Sequence, residues 1–409
     1  MASVADVQTS LNGNFKYMYA DQIQKLKPED IHFLDDLPFT EAQKIGRLYL
    51  QPVLLTLSHG ITFAPSSAVP QLNSSVTSQM LEAQVDGFQS ILRDQISYEA
   101  ASRAASSRAA FKDATQLIVE NMRVSHMMKL EIQELYGQVG LCTVASTSLN
   151  VITVPPATWG PGIWTGAEGM PISIYSAAGV YRGDCTITVI SLELKQLTVD
   201  ALPAGTVATD VIYFKGAFGN EPAGIHKILA NTGLLFNIDA SKWNLWAAYA
   251  FNCSGGALTF NKIIQGCAKA RPKGMRGAIK LYVNPSAFAD LVNEIEAARG
   301  FSATNQWSPN QIERGTQNLV YHGVNGTVEI QVHDIVWGGN AYGLIMDGSW
   351  KRIGSSEVTF RLPGRPQDEF FMELENTAAY ELRSFADFAP FCCRPGANIL
   401  FTNINNTTL

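Results

Sequence analysis

Charge is scarce in this chain, and so are the patterns that charge, cysteine and histidine form around chemistry. Asp, Glu, Lys and Arg make up 16% of 409 residues, against 46% hydrophobic, which describes a folded rather than a disordered protein. The formal net charge is −6 and no basic stripe occurs, which argues against a dedicated nucleic-acid binder, because gripping phosphates takes clustered Lys and Arg. No run of about twenty apolar residues exists, so no membrane span is expected. The first twenty residues lack the basic start and apolar centre of a secretory signal, so folding in a cytoplasm is expected. There Cys142, Cys185, Cys253, Cys267, Cys392 and Cys393 would stay reduced. None is spaced C-x-x-C, which favours buried thiols over a metal site.

Catalytic machinery is equally hard to find. The chain has no G-x-x-x-x-G-K-[ST], no H-E-x-x-H and no G-x-S-x-G, and the glycine spacing of Gly160–Gly166 is wrong for a dinucleotide site. The histidines (His32, His59, His126, His226, His322 and His333) are scattered without a second ligand-type residue at a useful spacing. His333-Asp334 comes nearest to a dyad, but neighbours on a strand face opposite ways, and a satisfied structural histidine fits better. Asp35-Asp36 and Asp368-Glu369 read as solvated turns. No catalytic, cofactor-binding or metal residue is nominated, and the expectation is a protein that is not an enzyme.

What is present is length. With 409 residues the chain exceeds what one core serves, so two or three compact regions are expected. In Arg108–Tyr136, Phe111, Ala114, Ile118, Met122, Ser125, Met128, Ile132 and Leu135 recur at three- and four-residue steps, predicting one helix closed by Gly137. At about 1.5 Å per residue it would be roughly 40 Å long. Such a rod is either the core helix of an α+β enzyme or the spine of an elongated scaffold.

Before it, residues 1–52 are polar with aromatic patches at Phe15, Tyr17 and Tyr19, and brief helices are expected at Pro28–Asp30 and Thr40–Tyr49. Val53–Phe63 is β-prone, a Ser- and Pro-rich stretch follows, and Met80–Glu99 has no clean period. Together Val53 to about Ala105 reads as an extended loop too thin to bury a core of its own. After the helix, short β-prone runs at 149–154, 172–175, 186–194, 197–202 and 211–215 suggest a small antiparallel barrel or sandwich, with Trp159 and Trp164 packed beneath it. From Gly224 helices and strands alternate. Thr259 can cap a helix to about Ala270, Ala278–Val283 is a strand, and Asn284-Pro285 opens a helix ending at Gly300. Phe301–Gly315 reads as a loop. Strands are expected at 328–335, 342–346, 357–362 and 377–388, with a last edge strand at 398–404.

This order of parts resembles the major capsid proteins of tailed bacteriophages, the Hong Kong 97 type of shell fold. The most specific local match is Leu281–Ile295, a buried strand ending in Asn284-Pro285 and then an amphipathic helix; Gln43–Phe63 and the segment around ENTAAYELRSFADFAPF add to it. The resemblance implies an α+β fold with an N-terminal arm (1–52), an extended loop (53–105), a peripheral domain with the spine helix (106–141 and 374–409), an inserted β-barrel-like domain (142–222) and an axial domain (223–373). It further implies a subunit that self-assembles, as hexamers and pentamers, into an icosahedral bacteriophage head around double-stranded DNA touched only non-specifically. Portal and scaffolding or decoration proteins would be partners, no membrane or cofactor would take part, and assembly would occur in the host bacterial cytoplasm. An encapsulin-like nanocompartment and a multidomain enzyme with a β accessory domain are the alternatives.

Overall fold

The computed structural model describes residues 32–41, 48–66, 69–97, 108–299, 319–323, 326–360, 371–373 and 379–407. The expectations for Phe15, Tyr17, Tyr19, Pro28–Asp30, Gly300, Phe301–Gly315 and Asp368-Glu369 lie outside the described residues.

The long helix spans Arg108–Tyr136, as its periodicity and the absence of proline dictate. Gly137 follows at once, because a Cβ there would meet the Pro222 carbonyl oxygen at 2.1 Å. The buried stripe overlaps in part with the one the apolar spacing suggested: Met122, Ile132 and Leu135 are buried, while Ser125 and Met128 are half-buried. It runs Met122, His126, Leu130, Glu134 at four-residue steps, with Glu131, Ile132, Leu135 and Tyr136 buried beside it. Four of these residues, His126, Glu131, Glu134 and Tyr136, are ionisable types.

One face of the body is a five-stranded sheet. Its strands are β1 (Phe39–Glu41), β4 (Gln89–Ser97), β19 (Trp350–Thr359), β20 (Phe371–Glu373) and β21 (Ala379–Cys392). The fourteen-residue β21 is its axis: β19 and β20 pair along one edge, and β4 pairs antiparallel along the other from Asp387–Gln89 to Ala379–Ser97. Residues 89–97 are therefore a strand of the body rather than part of an outlying loop. The helix expected at Thr40–Tyr49 does not hold at its described ends, because 39–41 pair with 352–354 and 48–54 pair with 80–86. Backbone pairing outweighs the weak helical pattern of so short a piece.

A second sheet has six strands in the order β14-β22-β18-β15-β17-β16, built from Tyr249–Asn252, Ile399–Thr402, Ala341–Ile345, Gly277–Val283, Gly326–Val332 and Leu319–Gly323. Helices Phe260–Ala270 and Pro285–Arg299 close its core around Ile263, Leu281, Leu291 and Phe401. Their starts were readable. Thr259 Oγ1 accepts from the Lys262 N–H at 3.3 Å and Asn284 Oδ1 from the Ser286 N–H at 3.0 Å, each satisfying a free helix-end donor. The expected edge strand at 398–404 is instead interior. Ile399, Leu400 and Phe401 are buried and paired on both sides.

A small barrel shares its core with the helix and the second sheet. β11 (Val211–Phe214), β8 (Pro171–Tyr175), β9 (Tyr181–Ser191), β10 (Gln196–Val199) and β7 (Val151–Thr153) pair antiparallel in that order. The ring closes through one extended limb, residues 141–148. Leu141 and Val144 N–H groups donate to Ile212 and Asp210 carbonyls at 2.7 and 2.8 Å, and Ala145 N–H donates to the Thr153 carbonyl at 2.8 Å. Ile172, Ile174, Ile187 and Leu197 fill the interior and join one core with Leu135 and Tyr136 of the long helix and Trp337. Trp159 and Trp164 stack with centroids 6.0 Å apart inside that core, in the packing role their loop suggested. Barrel and helix are thus a single packing unit.

Candidate assembly interface

Two features stand apart from the packed body: a hairpin that leaves it, and the polar cluster that fastens the first described residues to the long helix.

The hairpin starts from β2 (Leu48–Leu54) and β3 (Met80–Asp86), paired from Leu48–Asp86 to Leu54–Met80. Side chains alternate across the ladder. Tyr49, Val53 and Leu55 on one limb, with Ala83 and Val85 on the other, turn inward onto Trp246, Ile353 and Phe391, while Leu50, Leu54 and Met80 face out. Pairing continues past the strands. Leu55 N–H donates to the Gln79 carbonyl and His59 N–H to the Val76 carbonyl, both at 2.9 Å, and Asn73 bridges to Thr62 Oγ1 and the Ile61 carbonyl at 2.9 Å each. At about 3.3 Å per residue the limb from Leu55 to Phe63 reaches roughly 30 Å beyond its root.

Its outer half carries large apolar side chains that the described residues leave exposed. Relative exposure is 69% at Leu57, 63% at Ile61, 90% at Phe63, 95% at Val69 and 85% at Leu72. A monomeric surface rarely collects so many large apolar side chains on one projection unless something else covers them.

The ladder also controls which edge is open. Leu55 donates across the ladder, so by alternation the even-numbered residues of β2 present their amides outward. One of them is Pro52, which has no N–H, so the outer edge of β2 is interrupted where a further strand would bind. On β3 the outward Gln84 N–H is already taken by the Phe236 carbonyl at 3.0 Å. The hairpin is therefore suited to engage through side chains rather than by indiscriminate edge pairing.

At the other feature, Glu131 of the long helix accepts the backbone N–H groups of His32, Phe33 and Leu34 at 2.8, 2.5 and 2.9 Å. Its Oε1 also lies 3.1 Å from His333 Nε2. Asp36 accepts from Lys280 Nζ and from the Tyr282 hydroxyl. Arg352 Nε donates to the Leu37 carbonyl at 2.8 Å, and its backbone N–H to the Pro38 carbonyl at 2.9 Å. Residues 32–41 are thus strapped across helix and sheets by charge-assisted bonds, stronger than neutral ones.

The histidines fall into place accordingly. His333 follows the end of β17 at Val332, so the strand argument against a dyad with Asp334 does not apply; its ring partner is Glu131, from another element. His126 Nδ1 lies 2.7 Å from Ser384 Oγ and Nε2 3.0 Å from Ser90 Oγ. Burial, with Lys129 adding to it, pulls its pKa down to about 4. His226 Nδ1 sits 2.8 Å from the Tyr342 hydroxyl, and its pKa falls to about 4 for the same primary reason. Among the described residues no group of three or more His, Cys, Asp or Glu side chains could hold a metal ion. The described cysteines are free, all but Cys393 fully buried, and burial raises the Cys185 thiol to about 12. No helix among the described residues is long and apolar enough to cross a membrane.

Sequence reasoning missed Glu131 and His126 as partners of distant segments, and Glu134 as a buried carboxyl. The signal that could have found them is the four-residue spacing from Met122 to Glu134, which places polar side chains on a buried stripe.

A strapped N-terminal segment, a projecting hairpin, a long helix under a sheet and a second α/β layer define the Hong Kong 97-type capsid fold, of class α+β. The structure is similar over 95% of its length to a chain of the cyanophage A-1(L) capsid asymmetric unit, covering 96% of that chain at 8% identity with a TM-score of 0.59. It is also similar to a chain from the capsid of a native GTA particle, over 95% of each chain at 6% identity with a TM-score of 0.51. No protein-family model matches the sequence, and no curated protein matches it.

Proposed function

We propose that the chain is a structural subunit that self-assembles into the icosahedral head shell of a tailed bacteriophage enclosing double-stranded DNA. The observation that carries this reading is the hairpin, whose large apolar side chains are left exposed by the described residues while its root is locked into the body. Another copy of the same chain is the partner the fold supplies. Each subunit would contribute several moderate contacts, and symmetry would repeat them until the shell closes.

In this reading 1–52 is the arm, 53–105 contains the loop that reaches over a neighbour, and 106–141 with 374–409 form the peripheral domain. Residues 223–373 form the axial domain around the capsomer centre, and the barrel within 142–222 is an added element. Hexamers and pentamers of the chain are the building units, with portal and scaffolding or decoration proteins as further partners. The net acidic composition suits an inner wall that holds DNA loosely, since multiple phosphate contacts would bind it tightly. No catalytic role is assigned.

The test is electron microscopy of the purified chain together with extraction of whatever the particles contain. Closed shells or five- and six-membered capsomers are expected, with DNA inside particles taken from infected cells. Shells filled with a protein cargo would replace this reading with a nanocompartment, and a small compact oligomer would end both.

A further inference from the structure

Glu134 is the one ionisable group on the buried stripe whose carboxyl finds no partner. It is 2% exposed, and neither Oε1 nor Oε2 has a hydrogen bond. Leu130, one turn earlier, packs in an apolar cluster with Leu34, Ala386 and Phe388, so the surroundings supply little solvation. A buried carboxylate without donors is costly, whereas a neutral carboxyl is tolerated.

The groups that act on Glu134 are Arg352 from β19, which favours the charged form, and Glu131 on its own helix, which opposes it. Beyond them, His32, His333, Asp36, Lys280 and Tyr282 touch Glu131 or the strap. Arg352 is already committed: Nε to the Leu37 carbonyl, Nη2 to Glu357 Oε1 at 2.9 Å, and the guanidinium between the rings of Phe39 and Phe388 at 5.9 and 5.2 Å. The cation that holds the strap is therefore the same cation that an ionised Glu134 would attract.

We infer that residues 32–41 form a proton-linked strap: while Glu134 is neutral, Arg352 holds the Leu37 carbonyl, and loss of the Glu134 proton to solvent base draws Arg352 toward the new carboxylate and loosens the strap. Burial first, then the Glu131 charge, against the pull of Arg352, hold the Glu134 carboxyl at about 8, so the change falls just above neutral pH. This inference stands on the subunit alone and does not depend on what the subunit builds.

The test is amide hydrogen exchange of the intact protein at pH 6.5 and pH 9, corrected for the intrinsic base catalysis of exchange. The Phe33, Leu34 and Leu37 amides, which bond to Glu131 or within the strap, should exchange about thirtyfold faster at pH 9 than at pH 6.5, matching the rise in the ionised fraction across a midpoint of about 8. Glu134→Gln should remove most of that acceleration, and Glu134→Met serves if the Gln variant does not fold. Infrared spectroscopy of the wild type gives a variant-free check. A protonated-carboxyl carbonyl band should be present at pH 7 and lost by pH 9. Unchanged exchange in the wild type, equal acceleration in the variants, or no such band at pH 7 would each overturn the inference.

Discussion

Replacing Leu57, Ile61 and Phe63 together by serine removes apolar surface that no other described residue covers. Fully burying one such side chain is worth about 1.5–3 kcal/mol. Scaled by exposures of 69%, 63% and 90%, the three offer about 3–7 kcal/mol per hairpin to a neighbour. Ordering the projecting limb and its side chains offsets part of this. The net loss should still be about 2–3 kcal/mol per contact, or roughly 30- to 150-fold in each contact constant. In the proposed shell that loss would be multiplied at every repeat. Folding stability should hardly change, because side chains exposed in the subunit contribute little to it. The assay is paired: the denaturant midpoint of the isolated subunit, and analytical ultracentrifugation under assembling conditions. The expected outcome is an unshifted midpoint with assembly abolished or moved to at least tenfold higher protein concentration. A variant that assembles like the wild type refutes the reasoning. A variant that unfolds shows instead that the hairpin packs on its own body.

Acid should destabilise the subunit through His126. Its folded pKa of about 4 lies below the ordinary 6.5, so the unfolded chain binds the extra proton: the stability it protects is intact above about pH 6.5 and is lost as pH falls toward 4, by roughly 3 kcal/mol at most. Guanidinium midpoints across that range should fall less steeply for His126→Gln than for the wild type; parallel curves would contradict the assignment. Asn398→Ala should cost about 2–4 kcal/mol, because Asn398 Oδ1 accepts both the Ile345 N–H and the Trp350 indole N–H at 2.9 Å in a buried site. Thermal unfolding measures it, and a shift within the error of the wild type would show that those donors find other partners.

The parts of the fold written in local pattern were legible. Arg108–Tyr136 carries uninterrupted helical spacing, and Thr259 and Asn284-Pro285 mark helix starts by chemistry that needs no tertiary context. The short runs after Cys142 announced strands through their turn residues, although their closure depends on one limb serving two neighbours. What stayed hidden was long-range. Gln89–Ser97 has no clean alternation because it pairs with Ala379–Asp387, nearly three hundred residues later, and its register is set by that partner. The strap was invisible for the same reason: Glu131, Arg352 and Asp36 look like solvated charges until their backbone and lysine partners arrive from elsewhere. In the hairpin, Leu57, Ile61 and Phe63 lie in a β-prone run, but local pattern does not tell that the described residues leave them exposed.

The hairpin's partner can be identified directly by photo-cross-linking from position 63 in particles assembled from an equal mixture of light and heavy-isotope chains. Links joining light to heavy chains, at the statistical frequency for contacts between copies, are the expected result. Links confined to a single chain, with the tip attached to its own body, would contradict the claim that this subunit is completed by copies of itself.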